Sequence, residues 1–363
     1  MAADDGDVIV IGAGLAGSLL ALALRRQGWD VTVVAPPQEA CASYASYGGV
    51  CGWPALPGPL GEAMVRAPAC WQELEREHGP LGWQPCELSL HWRQAEDEAA
   101  LPLAERLLAQ VPGARRQERR LILPFGRVDG LQLAQALPLA LDRSGVRRLR
   151  AQVLRLEPLA PQVWRLHLAG GEHRDAARVV LAAGPASSGL WPPLAERQPP
   201  ALAMSWSGAL ALEPGCCGPE SLPAGAAEGI VIPLLGQRQA LEARCLELQR
   251  QEWIVDAGLA PRGGGWWLGQ ISVVAAGGAW QDAPDPAWME TELRQSLRAV
   301  WPQLASLPGR LVQVPVAFPT AAGPVHGAIA GAPGLWGLAG FQGAFALLPV
   351  LTPDLASAMA GTS

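Results

Sequence analysis

A glycine-rich turn between two short apolar runs constrains the fold more than any other part of this sequence. Val8 to Ile11 is an apolar run of strand length, and Val31 to Val34 is a second, β-branched one. Between them, Ser18 to Gln27 has a broad apolar face typical of a helix, which Gly28 ends as a C-cap. The stretch therefore predicts a β-strand, a helix and a second β-strand in succession.

The turn between the first strand and the helix reads Gly12-Ala13-Gly14-Leu15-Ala16-Gly17, a G-x-G-x-x-G pattern. In this position Gly12 makes the tight turn, Gly14 lets a pyrophosphate approach the backbone, and Gly17 lets helix and strand pack closely. The N–H groups at the start of the helix favour bound phosphate. We therefore predict a dinucleotide site, against the alternative of a glycine turn that binds nothing.

One position departs from the usual form of this motif. The second strand commonly ends in an acidic residue that binds the ribose hydroxyls, and here that place is taken by Ala35. Glu39 follows closely and could substitute, although an ordinary loop position explains it as well.

Composition and charge narrow the class of protein. The 363 residues suffice for two domains or for one α/β domain with an insertion, and charged residues make up only 17%, which argues against disorder. The net charge is −6 and the arginine pairs are short, so we expect no nucleic-acid partner. The sequence contains no lysine, which excludes a Schiff-base lysine.

The cysteines and the apolar segments indicate location. Seven cysteines without a C-x-x-C pair predict reduced thiols, no bound metal and a cytoplasmic protein. The start of the chain is acidic, unlike a signal peptide. Leu335 to Met359 is apolar but contains Pro349, Pro353 and Asp354, so we expect no membrane span.

Three separated pieces of sequence agree on a family. They are the glycine unit with the loop ASYASYGGV (42–50), the stretch RVVLAAGPASS (178–188), and GLWGLAGFQGAF (334–345) before a terminal helix. In order and spacing, and with GRVDGLQLAQAL (126–137), they resemble the D-amino-acid oxidase and glycine oxidase superfamily of FAD-dependent oxidoreductases.

The resemblance implies an α/β fold with a Rossmann-type FAD-binding domain, like that of glutathione reductase, and an inserted substrate domain. Residues 191–319 are rich in Trp, Pro and alternating strands, which favours a mostly antiparallel β-sheet in that insertion. We expect 1–52, 126–190 and 320–363 to form the FAD-binding domain, and 53–125 and 191–319 to form the substrate domain.

The resemblance also implies which residues contact FAD. The pyrophosphate would be contacted by Gly12, Ala13, Gly14, Ala16 and Gly17, and the adenosine by Ala35, Val153, Ala183 and Gly184. The phosphates and the isoalloxazine would be flanked by Ser43, Ser46, Gly48, Gly49 and Val50. The far end of the flavin ring would be contacted by Gly340, Phe341, Gln342, Gly343 and Ala344. Backbone N–H groups of the last set could stabilise an anionic reduced flavin.

The substrate-binding part of the family pattern is incomplete. Relatives that oxidise amino acids commonly hold the substrate carboxylate with an Arg, near an R-x-x-T-x-D-x-x-P stretch. The matching residues 316–331 contain neither Arg nor Asp, which argues against a simple amino acid as the substrate. If an amino acid is oxidised, an arginine elsewhere, such as Arg262 or Arg310, would hold its carboxylate.

Aromatic residues favour another substrate class. The insertion supplies Trp206, Trp253, Trp266, Trp267 and Trp280, and aromatic walls favour apolar or cationic groups. Secondary or aromatic amines are therefore expected to react faster than glycine, sarcosine or D-alanine. The alternative is that these tryptophans belong to the core of the sheet.

The leading hypothesis is an oxidase or dehydrogenase that oxidises a C–N bond of a small-molecule amine or amino-acid-type substrate and passes the electrons to oxygen or another acceptor. Tyr47, His326 and Gln342 are its candidate catalytic residues. The alternatives are a tRNA wobble-uridine side-chain oxidoreductase with FAD, and a flavin-binding protein without catalytic activity.

Overall fold

The computed structural model describes residues 7–37, 41–160, 162–191, 202–278, 282–320 and 323–361; Glu39 and Trp280 lie outside these ranges. The strands are β1 (Asp7–Ile11), β2 (Asp30–Ala35), β3 (Gly49–Val50), β4 (Trp83–His91), β5 (Arg115–Gln117), β6 (Arg120–Val128), β7 (Arg147–Arg150), β8 (Val153–Ala160), β9 (Val163–Leu168), β10 (His173–Ala176), β11 (Arg178–Leu181), β12 (Leu202–Leu212), β13 (Gly229–Pro233), β14 (Glu252–Val255), β15 (Leu259–Arg262), β16 (Gly265–Val274), β17 (Gly309–Pro319), β18 (Val325–Ala328) and β19 (Leu335–Ala339). The helices are α1 (Leu15–Arg26), α2 (Gly58–Met64), α3 (Ala67–His78), α4 (Asp97–Gln110), α5 (Gly130–Arg143), α6 (Arg238–Ala243), α7 (Pro286–Arg298), α8 (Pro302–Ala305) and α9 (Ala344–Ala360).

The chain divides into two compact units. The first combines residues 1–41, 135–204 and 316–363, and the second combines residues 42–134 and 205–315. The division of function between an FAD-binding and a substrate domain, with the boundaries expected from sequence, stays a prediction.

The first unit contains a six-stranded sheet in the order β18-β19-β11-β1-β2-β7. Strand β1 pairs in parallel with β2 on one side and with β11 on the other, and β11 pairs in parallel with β19. Helix α1 packs against α9. The chain therefore leaves β1 toward one side of the sheet and later returns on the other side, which makes the end of β1 a topological switch point.

A second, three-stranded sheet in the order β10-β9-β8 completes the first unit. It shares a hydrophobic cluster with the large sheet, in which Trp164 and Leu166 pack together with Ile11, Val34 and Leu181. Because the last three residues stand at or near the ends of parallel strands, this cluster supports the edge where the turns meet.

The second unit is built on a ten-stranded sheet in the order β17-β12-β16-β15-β13-β4-β6-β3, with β14 and β5 paired at its side. Most pairs are antiparallel, while β13 and β4 are parallel. Helix α7 packs its buried Met289, Leu293 and Leu297 in one cluster with Leu259 and Leu268 of the sheet. This cluster covers one face of the sheet with a helix.

Several elements differ from the sequence-based expectation. The apolar pattern from Leu60 to Glu77 predicts one helix, whereas the structure has two, with a break at Val65 and Arg66 just before Pro68. The pattern from Val146 to Leu156 predicts mostly one strand, whereas the structure has two strands that belong to different sheets. Strands β5, β10, β15, β17 and β18 were not predicted, because short or Pro-containing strands give weak alternation.

The terminal helix begins earlier than its prolines predict. The sequence predicts a helix from about Pro349 to Ala360, whereas the helix of the structure runs from Ala344 and includes both Pro349 and Pro353. The Thr352 hydroxyl donates a hydrogen bond to the Leu348 carbonyl at 2.7 Å. Eleven of the seventeen residues of this helix are buried, including Pro349, so packing compensates for the N–H groups that the prolines lack. No helix in the described ranges is long and apolar enough to cross a membrane.

Candidate FAD and substrate sites

The first glycine of the turn is required by its backbone and by its neighbours. Gly12 has φ +114°, and a Cβ on it would come within 2.3 Å of the Ala182 carbonyl oxygen. Its N–H donates to the Val34 carbonyl at 2.9 Å. A Cβ on Gly17 would lie 2.0 Å from the Gly12 carbonyl oxygen, so helix and turn are in direct contact. The predicted roles of Gly12 and Gly17 follow from these distances.

The N-terminus of α1 is suited to an anion. Gly14 is the N-cap and has no capping side chain, and the first turn carries no acidic residue. Arg25 and Arg26 lie in the last turn, at the opposite end of the helix dipole. The Ser18 hydroxyl donates to the Ala13 carbonyl at 3.3 Å, which ties the turn to the helix. Among the described residues, the first turn of α1 brings no acidic side chain of its own to the positive end of the helix, which suits a pyrophosphate.

Three of the predicted FAD-contacting turns meet at one edge of the sheet. The Gly12–Gly17 turn follows β1, Ala183 and Gly184 follow β11, and Gly340 follows β19. These strands are adjacent and parallel, in the order β19-β11-β1, so their carboxyl ends share an edge. Ligands of such sheets bind outside the carboxyl ends at a switch point.

The predicted adenosine side lies at the same edge. Ala35 ends β2, and its carbonyl accepts the Ala151 N–H at 3.0 Å. Val153, which begins β8, is buried in the cluster that contains Ile11 and Val34. Ser187 follows Gly184 by three residues in the chain. Its hydroxyl is buried and has no hydrogen-bond partner in the described part of the chain. A polar ligand would satisfy such a group.

The second glycine turn also leads from a strand of the large sheet into a helix, although its N-cap glycine is left-handed whereas Gly14 is extended. Gly340 has φ +80° and Gly343 has φ +71°, and Gly343 is the N-cap of α9, without a capping side chain. Phe341, Gln342 and Ala344 are half-buried. This turn thus brings a second helix N-terminus to the edge of the sheet that carries the first.

The remaining predicted FAD residues belong to the second unit. Gly48 has φ +69°, a Cβ on it would meet the Val128 carbonyl oxygen at 2.0 Å, and its N–H donates to the Ser46 hydroxyl at 3.1 Å. Gly49 and Val50 form β3, which pairs with Arg127 and Gly126. Ser43 lies in the half-buried segment before it. The loop is therefore held in one conformation against β6.

The three candidate catalytic residues have different surroundings. His326 is exposed on β18, an edge strand paired with β19. Gln342 is half-buried in the second glycine turn. Tyr47 has a buried hydroxyl without a hydrogen-bond partner among the described residues. Burial, with a further contribution from Asp256, raises the Tyr47 pKa far above its usual range. Of the three, Tyr47 alone presents an unsatisfied buried group.

Most of the tryptophans expected around the substrate have other roles. Trp206 and Trp266 pack against the hydrophobic cluster under α7. Trp253 is 43% exposed and contacts Trp288 edge-on, with ring centroids 5.2 Å apart. Trp280 lies outside the described residues. The period of two along a strand does not tell which face is covered, so the sequence could not separate these roles.

Trp267 stacks with Arg262, one of the two arginines that could hold the carboxylate of an amino-acid substrate. The guanidinium carbon of Arg262 lies 4.7 Å from the centre of the Trp267 ring. The Nε of Arg262 is buried and has no hydrogen-bond partner in the described ranges. Arg310, the other candidate for the carboxylate, is exposed. Arg262 is therefore the cation of the two that is placed to receive a buried anionic group.

The glycine turns at the carboxyl edge of a parallel sheet define a dinucleotide-binding protein of the FAD-binding type. Residues 7–350 match the family described as FAD dependent oxidoreductase, and the chain belongs to this family. Its cofactor is FAD and it is an oxidoreductase, which confirms the expectation from the three sequence pieces. The sequence matches no curated protein.

Solved structures agree on the fold. The chain is similar to glycine oxidase from Geobacillus kaustophilus, with 16% identity, a TM-score of 0.75, and coverage of 98% of this chain and 95% of that one. It is similar to iminodiacetate oxidase from Chelativorans sp. BNC1, with 18% identity, a TM-score of 0.68 and coverage of 98% and 95%. It is also similar to L-proline dehydrogenase from P. horikoshii, with 16% identity, a TM-score of 0.71 and coverage of 99% and 95%. These similarities confirm a Rossmann-type FAD-binding fold with a substrate domain.

Proposed function

We propose that this protein oxidises the C–N bond of a small-molecule amine or amino-acid-type substrate. Its membership of the family of FAD dependent oxidoreductases carries the proposal, together with three similar structures named for the oxidation of glycine, iminodiacetate and L-proline. All three names describe compounds with a C–N bond. When bound, FAD accepts a hydride from the carbon next to the nitrogen.

The residues proposed to hold FAD fall into two groups. Those of the first unit are Gly12, Ala13, Gly14, Ala16, Gly17, Ala35, Val153, Ala183, Gly184, Gly340, Phe341, Gln342, Gly343 and Ala344. Those of the second unit are Ser43, Ser46, Gly48, Gly49 and Val50. The strongest support is the α1 N-terminus, whose N-cap is Gly14 and has no capping side chain, so that a phosphate could approach the backbone there. These residues bind and orient the cofactor, and the N–H groups of the second glycine turn would stabilise negative charge on it.

For the substrate we propose an amine without a carboxylate on the reacting carbon. The residues 316–331, where relatives commonly carry an arginine for that carboxylate, contain none. A buried carboxylate without a cationic partner costs several kcal/mol, on the order of the usual ion-burial penalty. The aromatic argument gains no support from these tryptophans, because Trp206 and Trp266 pack against the core cluster and the Arg262 guanidinium already stacks on Trp267.

The electron acceptor is proposed to be oxygen or another acceptor. We also propose a cytoplasmic location, which is supported by the seven cysteines, since none of them forms a disulfide within the described ranges. A role in tRNA modification stays an alternative, which a tRNA gel-shift assay at several salt concentrations would test.

The visible spectrum of the purified protein, followed by anaerobic mixing with substrates, tests the proposal. We expect bound FAD, and we expect benzylamine and N-methylbenzylamine to bleach it faster than glycine, sarcosine or D-alanine. Rapid bleaching by glycine or D-alanine would overturn the substrate class. Full FAD occupancy with no bleaching by any amine or amino acid would overturn C–N oxidation itself.

A further inference from the structure

A β-bulge interrupts the long strand that pairs with β16 in the second unit. Asp256 exchanges two backbone hydrogen bonds with Gln270, both at 3.0 Å or less, and Leu259 pairs with Leu268. Two residues on one strand, Ala257 and Gly258, therefore lie opposite Gly269 alone. β14 and β15 are the two halves of one strand bent at this point. Bulges occur often next to active sites, where they redirect side chains.

The side chain of Tyr47 lies against this bulge. A Cβ on Gly258 would come within 2.8 Å of the Tyr47 hydroxyl oxygen and 2.9 Å of its ring carbon Cε2, with the Ile232 side chain at 3.1 Å. Gly258 is buried. The absence of a side chain at residue 258 thus makes the room in which the Tyr47 hydroxyl stands.

The Tyr47 hydroxyl is unsatisfied in this position. It is buried and has no hydrogen-bond partner in the described ranges, although a phenol normally finds one when it leaves water. Burial keeps the phenol neutral, because it raises the pKa well above the ordinary value. A neutral hydroxyl can accept one hydrogen bond and donate another. An absent ligand would account for the missing partner.

The charge near the hydroxyl favours one kind of ligand. Asp256, at the start of the bulge, accepts the Gln237 N–H at 2.8 Å and the Arg238 N–H at 3.2 Å. It forms no ion pair with any described residue, since Arg238 pairs with Glu242 instead. Asp256 also acts electrostatically on Tyr47. Its uncompensated negative charge repels a carboxylate and attracts a cation.

We infer that the Tyr47 hydroxyl and the Asp256 carboxylate together recognise the nitrogen of the substrate amine. The hydroxyl oxygen accepts an N–H of the ammonium group, and Asp256 supplies the favourable charge beside it. This inference rests on the proposed function and assigns the binding of its amine nitrogen. Tyr47 acts as a substrate-binding residue in it, and Asp256 acts through its charge.

The test uses cumylamine, an aromatic amine that has no hydrogen on the carbon next to nitrogen and so binds without being oxidised. Its dissociation constant is measured by the change in the visible flavin spectrum of the FAD-loaded protein. We compare wild type with Tyr47→Phe, which removes only the hydroxyl. Tyr44→Phe is the matched control, because Tyr44 is the other tyrosine of the same loop.

We expect Tyr47→Phe to raise the dissociation constant of cumylamine about tenfold or more, as for a lost hydrogen bond to a charged group. FAD content and melting temperature should stay at wild-type values, and Tyr44→Phe should bind cumylamine as wild type does. Gly258→Ala provides a second variant, since its Cβ would displace the hydroxyl without removing it. We expect it to weaken cumylamine binding as well.

Equal binding of cumylamine by wild type and FAD-loaded Tyr47→Phe would overturn the inference, because the hydroxyl then faces only water. Absence of cumylamine binding to wild type would overturn it too. Neither result bears on the proposed C–N oxidation, which is measured separately by flavin bleaching with oxidisable amines. Conversely, tenfold weaker cumylamine binding would support the nitrogen site even if no amine reduced the flavin.

Discussion

The Ala182 carbonyl oxygen lies 2.3 Å from the position that a Cβ on Gly12 would occupy. Ala182 follows β11 and Gly12 follows β1, so this contact joins the ends of two adjacent parallel strands. Since backbone cannot move aside as a flexible side chain can, residue 12 must be glycine for the strands to keep their register.

For Gly12→Ala we expect a loss of stability even without FAD. The variant adds the clash with Ala182 to the cost of φ +114°, together about 2 kcal/mol or more. Gly28→Ala is the control, because Gly28 has φ +89° but no neighbour within 4 Å of its Cβ. Urea unfolding of the two FAD-free variants measures the difference. Equal destabilisation of both would show that the Ala182 contact has no effect of its own.

Gly14→Val should behave in the opposite way. Gly14 has φ −75° and ψ −172°, an extended conformation that any residue adopts, so the fold should persist. The new side chain would fill the space that the pyrophosphate needs. We expect most bound FAD to be lost after gel filtration, with an unchanged circular dichroism spectrum. Gly361→Val, at the C-terminal end of α9, is the control and should keep its FAD. Normal FAD content in Gly14→Val would show that the phosphates bind elsewhere.

Asp129 should contribute stability that depends on pH. Its carboxylate accepts the Leu131 and Gln132 N–H groups at 3.0 and 3.1 Å and the Gly263 N–H at 2.9 Å. Burial raises the Asp129 pKa, but these hydrogen bonds and Arg127 lower it more, so the net pKa lies below its usual value. The carboxylate therefore stabilises the fold above the ordinary aspartate pKa, and this contribution disappears as pH falls toward the folded-state pKa.

We expect Asp129→Ala to lower the free energy of unfolding by about 2 kcal/mol near neutral pH, as for a lost helix cap with one further hydrogen bond. The difference from wild type should shrink below about pH 4. Urea unfolding at several pH values measures both effects. Asp129→Asn retains an oxygen for capping and should lose less. A difference that is constant with pH would refute a role for the charge.

Arg262 should matter only for substrates that carry an acidic group. Its Nε is buried without a partner among the described residues, and its guanidinium stacks on Trp267 at 4.7 Å. We expect Arg262→Gln to weaken the binding of any acid-bearing substrate by about 2 kcal/mol, roughly 30-fold, and to leave simple amines unaffected. Anaerobic flavin reduction at varied substrate concentration gives the dissociation constants of the acid-bearing substrate and of the simple amine.

Arg310→Gln serves as the control for this experiment, because Arg310 is exposed and was the other arginine considered for the carboxylate. It should react with every substrate as wild type does. An equal loss of simple amine binding in Arg262→Gln would mean that Arg262 supports the structure of the β15–β16 hairpin rather than recognising an anion.

The FAD-binding unit could be predicted from the sequence because its signals are local. A strand, a glycine turn and a helix follow one another between residues 7 and 26, and the positive φ of Gly12 belongs to that turn. The later pieces, Ala183–Gly184 and Gly340–Ala344, are likewise short turns after apolar strands. Family and cofactor followed from their order.

The substrate side was decided by tertiary structure. Tyr47 and Gly258 are far apart in sequence, and their contact depends on a bulge that no local pattern marks. Arg262 and Trp267 are close in sequence, but their contact is likewise set by the register of β15 on β16, in which Trp267 pairs with Ala260 and Arg262 with Gly265. Whether a strand tryptophan enters the core or another site depends on which sheet face a helix covers, and that choice is made only when the whole chain packs.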